Sequence, residues 1–206
     1  TYGAANRTTT LFPTYANVGS DSSQPLPTNG GKAYCGGLHL TGTSVVDLNP
    51  GVYIFNEAGI RADGGLLICS NCTLKNGVHI VQIDTRGSVD NFWVDGSAVV
   101  VLNAGLDIPS IPGMSTDVSK LSGVLFYRTK ASQDGNSDEV VINGNSSTML
   151  TGGVYAPNGD LRFNGSSKSD CTVLVAGGIT MTGDAELDGT GCMDIGLKIA
   201  KTRVVQ

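Results

Sequence analysis

Apolar runs in this chain are cut every few residues by glycine, often as an Asn-Gly or Asp-Gly pair, and that habit excludes most folds. From Tyr34 onward the pattern is regular. Leu38-His39-Leu40 is followed by Thr41-Gly42, and Val46-Asp47-Leu48 by Asn49-Pro50-Gly51. Val52-Tyr53-Ile54 then leads through Asn56–Gly59 to Ile60-Arg61-Ala62. Runs of about three residues closed by a turn are too short for stable hairpins, but they suit the faces of a coil whose neighbours stack above and below it. No window of eleven or more residues carries apolar positions at helical spacing between caps, and Val, Ile, Thr and Leu dominate the apolar runs.

A Gly-Val-apolar signature recurs at Gly51-Val52-Tyr53, Gly77-Val78-His79, Gly123-Val124-Leu125 and Gly153-Val154-Tyr155, with a variant at Gly178-Ile179-Thr180. Its spacings of 26, 46, 30 and 25 residues fall in the range of stacked repeats. The long gap holds an insertion, Asn103 to Ser122, and the next holds the polar stretch Thr129 to Glu139; both read as loops thrown out from coil corners.

The expected fold is all-β, a right-handed parallel β-helix (β-solenoid) with loop insertions. Val52, Ile54, Val78, Ile80, Val124, Val154 and Ile179 are expected to point inward, and corner residues such as Asn76-Gly77 and Asp63-Gly64 to supply positive φ. The alternative is a β-sandwich, because Asn-Gly is also the strongest hairpin signal. Residues 1–33, with Pro13, Pro25 and Pro27, read as an extended N-terminal arm, and residues 34–206 as the solenoid domain.

Composition narrows the function. A net charge of -5, with Lys and Arg scattered, argues against nucleic acid. No apolar run approaches the roughly twenty residues that cross a bilayer. His39 and His79 each lie opposite the apolar positions of an alternating strand, which makes them surface residues, and no Gly-x-Ser-x-Gly elbow accompanies them. Asp84, Asp90 and Asp95 surround Trp93, and Asp184, Glu186 and Asp188 alternate along one strand face. Neither set forms an acid–base pair or a calcium loop. Cys69-Ser70-Asn71-Cys72 lacks the second ligand pair of a zinc site and the helix N-terminus of a redox motif. It reads as a small structural disulfide across a corner. No catalytic residue, cofactor or metal is expected, so the chain is not read as an enzyme.

Tyr34-Cys35-Gly36-Gly37-Leu38 through Leu48-Asn49-Pro50-Gly51-Val52-Tyr53-Ile54 resembles the C-terminal region of TadG-like proteins of bacterial tight-adherence (Flp) pili. The resemblance continues through Asn76-Gly77-Val78-His79-Ile80-Val81, Leu121 to Tyr127, Ile142 to Asn145, Leu150 to Pro157 and Leu161 to Gly165. It implies a non-enzymatic structural or adhesive module of the envelope, periplasmic or on the cell surface, whose partners are envelope or pilus proteins and surface glycans. The membrane span and the von Willebrand type A domain common in such proteins do not occur in these residues. The functional alternative is a carbohydrate-active β-helix, either a polysaccharide lyase or a glycan-binding module. Export, implied by the resemblance, makes Cys69–Cys72 and Cys171–Cys192 the disulfide candidates. Cys35 is then unpaired or paired outside the chain.

Overall fold

The computed structural model describes residues 2–5, 8–11, 37–56, 59–83, 92–108, 118–128, 139–144, 148–165, 168–184 and 186–187. These form fifteen strands in one continuous sheet and a single 3-10 turn at Val118–Leu121, with no α-helix among the described residues. Every strand pairing among them is parallel. That excludes the sandwich of hairpins, whose neighbours would run antiparallel.

The pairings sort into three ladders. The first holds β1 (Tyr2–Ala5), β3 (Leu38–Thr41), β6 (Ile60–Ala62), β9 (Phe92–Val94) and β12 (Glu139–Gly144). The second holds β2 (Thr8–Leu11), β4 (Val45–Leu48), β7 (Leu66–Ile68) and β10 (Val99–Asn103). The third holds β5 (Gly51–Asn56), β8 (Val78–Ile83) and β11 (Val124–Arg128). The long strands β13 (Met149–Gly165) and β14 (Lys168–Thr182) each cross all three ladders, and β15 (Glu186–Leu187) pairs with the start of β14. From β3 to β12 the chain therefore returns to the same ladder at every third strand, and neighbours in a ladder lie about 4.8 Å apart. Residues 2–5 and 8–11, within the stretch read as an extended arm, pair with β3 and β4 and extend the first two ladders.

All three ladders face one apolar core. Leu40, Ala62, Val94, Ile142 and Phe163 stack in register from the first ladder, Val46, Leu67 and Val100 from the second, and Tyr53, Ile80, Phe126 and Val154 from the third. Phe92 and Phe126 meet across it with ring centroids 4.9 Å apart. Each buried aliphatic side chain contributes roughly 1.5–3 kcal/mol, and stacking like on like leaves little void.

Several inward assignments need correction. On β5 it is Tyr53 and Phe55 that enter the shared core. Val52 and Ile54 lie on the opposite face, buried in a second cluster under Ile108 and Leu121, the described ends of the insertion. Val124 is only half-buried: a bulge between Val124 and Phe126 hands its place to Leu125 and Phe126. Ile179 pairs with Leu161 on the first ladder, outside the repeat to which its signature was assigned, and is 48% exposed. Val78, Ile80 and Val154 point inward as expected. The glycine of Asn76-Gly77 is not in the left-handed region. It is required because a Cβ there would lie 2.2 Å from the backbone nitrogen of Gly105.

Candidate functional site

Outward positions fall in columns as regular as the core. On the first ladder His39, Arg61, Trp93, Val141, Arg162 and Thr180 succeed one another in register. Asp63, in the turn after β6, draws the first two together. His39 Nε2 lies 2.7 Å from its Oδ2, and Arg61 Nε donates at 2.8 Å to both carboxylate oxygens. Partial burial pushes the Asp63 carboxyl up. The hydrogen bonds and charges of Arg61 and His39 outweigh that, and its pKa lies below the ordinary carboxylate value. Trp93 follows Arg61 on the adjacent strand. A carboxylate, a cation, an imidazole and an indole thus share one face. The alternation of β3 and β6 puts each of these side chains outside, but their convergence depends on a stacking register that local sequence does not reveal.

Farther along the same face, Arg162 Nη2 donates to Glu139 Oε1 at 2.7 Å, and Asn164 Nδ2 donates to Asn143 Oδ1 at 2.6 Å. Thr182 Oγ1 donates in turn to Asn164 Oδ1 at 2.5 Å, so a polar ladder ties adjacent strands together. Of the acids singled out in the sequence, Asp84, Asp90 and Asp188 lie outside the described residues. Asp95 and Asp184 are exposed beside turns, and Glu186 lies on β15 opposite Lys168. Among the described residues no three His, Cys, Asp or Glu side chains converge as a metal site would require.

The third ladder carries a second outward column, Ile54, Val81, Tyr127, Tyr155 and Val175. Its first two members are covered, whereas Tyr155 is exposed and stacks on Tyr127 with centroids 5.3 Å apart and planes 4° from parallel. His79 belongs to this outer face but is not a surface residue: it is 1% exposed. The insertion buries the face that period-2 alternation assigned to solvent. Its Nδ1 lies 2.8 Å from the Val124 carbonyl oxygen, which can only accept, so Nδ1 carries the hydrogen. Burial drives the His79 pKa below 6.5, and the upward pull of the Val124 and Leu121 carbonyls does not reverse it. The unfolded chain therefore binds a proton that the folded one refuses. Stability contributed by neutral His79 is complete above about pH 6.5 and falls as the pH drops from there through the lowered folded pKa. We expect an NMR titration of the folded protein to give His79 a midpoint below 6.5; a midpoint at or above it would contradict the burial.

Cys69 and Cys72 form a disulfide with Cα atoms 5.3 Å apart, at the corner between β7 and β8. The intervening Ser70 donates through its backbone N–H and its hydroxyl to the Asp47 carboxylate on the strand below. Cys171 is fully buried and disulfide-bonded. The pairing expected with Cys192 lies outside the described residues, as does Cys35. Closing so small a loop at residues 69–72 contributes roughly 2 kcal/mol in the chain-entropy account. We expect Cys69→Ser/Cys72→Ser to lower the melting temperature by several degrees. An unchanged melting temperature would show that the Ser70–Asp47 bonds hold the corner alone.

No protein family, curated protein or solved structure matches the chain. No helix among the described residues is long and apolar enough to cross a membrane.

Proposed function

We propose that the chain is a right-handed parallel β-solenoid serving as a non-enzymatic structural or adhesive module of a bacterial envelope, an accessory of a tight-adherence pilus displayed in the periplasm or on the cell surface. The observation that carries this reading is the separation of duties in the three ladders. One continuous core fixes the scaffold, and the outward column of the first ladder presents His39, Arg61 and Trp93 on successive strands, with Arg162 two strands beyond, past the buried Val141. A rigid face of that kind offers contact residues with little ordering cost on binding. The Cys69–Cys72 disulfide supports an oxidising compartment. The test is a pull-down of tight-adherence pilus and envelope proteins by the oxidised protein, with Arg61→Ala/Trp93→Ala as comparison. Capture of a pilus component, weakened in the double variant, is expected; equal capture by heat-unfolded protein would defeat the reading.

A second reading, a carbohydrate-active β-helix, draws on one specific arrangement. His39 is paired with Asp63 beside Arg61, and Trp93 lies next in the column. A lyase needs a base beside a cation that neutralises the substrate's carboxylate, and an aromatic ring against the sugar. Release of unsaturated ends from uronate polysaccharides, lost in His39→Ala, would establish it. No release from any such polymer would remove it.

A further inference from the structure

We propose that the cleft at the corner between the second and third ladders binds a neutral sugar unit of a surface glycan. This rests on the adhesive reading above and gives it a ligand class. The cleft has a volume of about 360 Å³ and is lined by Pro50, Asn71, Asn76, Asp107 and Ile108 together with Gly51 and Gly77. That volume lies within the usual range of small-ligand sites. The Asn71 and Asn76 side chains are exposed, and neither amide has a hydrogen-bond partner among the described residues. The Asp107 carboxylate is exposed too. Its ion-pair contact among the described residues, Lys75 Nζ at 3.6 Å, is longer than a good hydrogen bond.

This donor and acceptor set suits a pyranose ring. Neighbouring ring hydroxyls each donate and accept. A carboxylate can accept from two of them while an amide donates to one and accepts from another. The Pro50 ring and the Ile108 side chain supply apolar surface for the C–H face of the sugar. The single carboxylate disfavours an anionic residue, and one carboxylate with two amides is too poor in charge to hold a hard cation.

The walls are preformed. The Gly51 N–H donates to the Gly77 carbonyl at 2.8 Å, and the Asp107 N–H donates to the Lys75 carbonyl at 2.8 Å. The Thr73 N–H donates to the Asn76 carbonyl at 2.8 Å, and the Asn76 N–H donates back to Thr73 Oγ1 at 3.0 Å. The Cys69–Cys72 bridge closes the near end of the same loop. A ligand would therefore meet a backbone already in place, so the ordering cost of binding falls on the Asn71, Asn76 and Asp107 side chains and not on the loop.

The test uses the whole oxidised chain on an array of neutral hexose and N-acetylhexosamine oligosaccharides, followed by calorimetric titration of the best-bound glycan. Asp107→Ala and Asn76→Ala are each expected to weaken binding by about tenfold or more with the melting temperature unchanged, since both side chains are exposed. Asp184→Ala, in the exposed turn after β14 and away from the cleft, should bind as the parent does. Binding unchanged in both cleft variants would overturn the proposal. A blank array would overturn it as well. If pilus or envelope capture persisted beside a blank array, the adhesive reading would survive without the sugar site; if capture also failed, both would fall.

Discussion

Val154→Asp should leave the chain unable to fold at neutral pH. Val154 is 2% exposed and lies on β13 between Phe126 and Leu174 in the inward column of the third ladder. The nearest space is a void of about 10 Å³ lined by Ile80, Phe92, Leu125, Phe126, Ile142 and other apolar side chains. That is at most the room of one water, and no polar group there could hold one. A carboxylate would be neither hydrated nor paired, at a cost of several kcal/mol. The total stability of a domain this size is about 5–15 kcal/mol. Val154→Ala removes only methyl groups and should cost about 2–3 kcal/mol. Tyr155→Asp, one residue on, places the same charge on the outer face, where Tyr155 is 37% exposed, and should stay folded. Far-ultraviolet circular dichroism and thermal melts of the three variants check the series. A folded Val154→Asp with the parental melting temperature would mean that the inward face has been assigned wrongly.

That contrast also shows where the sequence was legible. Alternation reads phase only where one face is polar. In Leu38-His39-Leu40 and Ile60-Arg61-Ala62 the polar residue marks the outside, and the structure puts it there. Val52-Tyr53-Ile54-Phe55 is apolar at every position, because the insertion covers the outer face of the third ladder while the core covers the inner one. Such a strand carries no phase, and choosing the β-branched residues as inward selected the wrong set. The same cover explains His79, whose neighbours Val78 and Ile80 correctly face the core. The parallel ladders were legible from the recurrence of Gly-Val before the third-ladder strands. The grouping of His39, Arg61, Asp63 and Trp93 was not, since residues 24 to 32 positions apart, such as His39 with Asp63 and Arg61 with Trp93, meet only through stacking. The cleft was hidden for a related reason: Pro50, Asn76 and Asp107 come from three successive corners.

Gly77→Val should destabilise the fold strongly. Gly77 and Gly105 approach through their backbones: a Cβ on either would lie 2.2 Å from the backbone nitrogen of the other. For Gly77 the next contacts, the Ala104 carbonyl carbon and the Asn103 oxygen, are at 2.4 Å, and all three atoms are backbone. A flexible side chain could swing away from a new methyl group, but backbone held in parallel ladders cannot. Gly77 also leads into β8, and its carbonyl accepts the Gly51 N–H, so displacing it strains two strands at once. Overpacking of this kind costs about 1–3 kcal/mol, and the branched valine should reach the upper end. Gly96 provides the comparison. It follows Asp95 in a turn as Gly77 follows Asn76, but the nearest atom to its Cβ would be the Asn143 oxygen at 3.6 Å, an ordinary contact. Gly96→Ala should therefore leave the unfolding free energy within about 0.5 kcal/mol of the parent. Denaturant titrations of the two variants separate the possible reasons for these glycines. If both lose stability equally, the close backbone approach is not what requires glycine at Gly77. If only Gly77→Val does, the close approach of neighbouring strands is the cause, and the Asn-Gly and Asp-Gly pairs of this chain serve different physical ends.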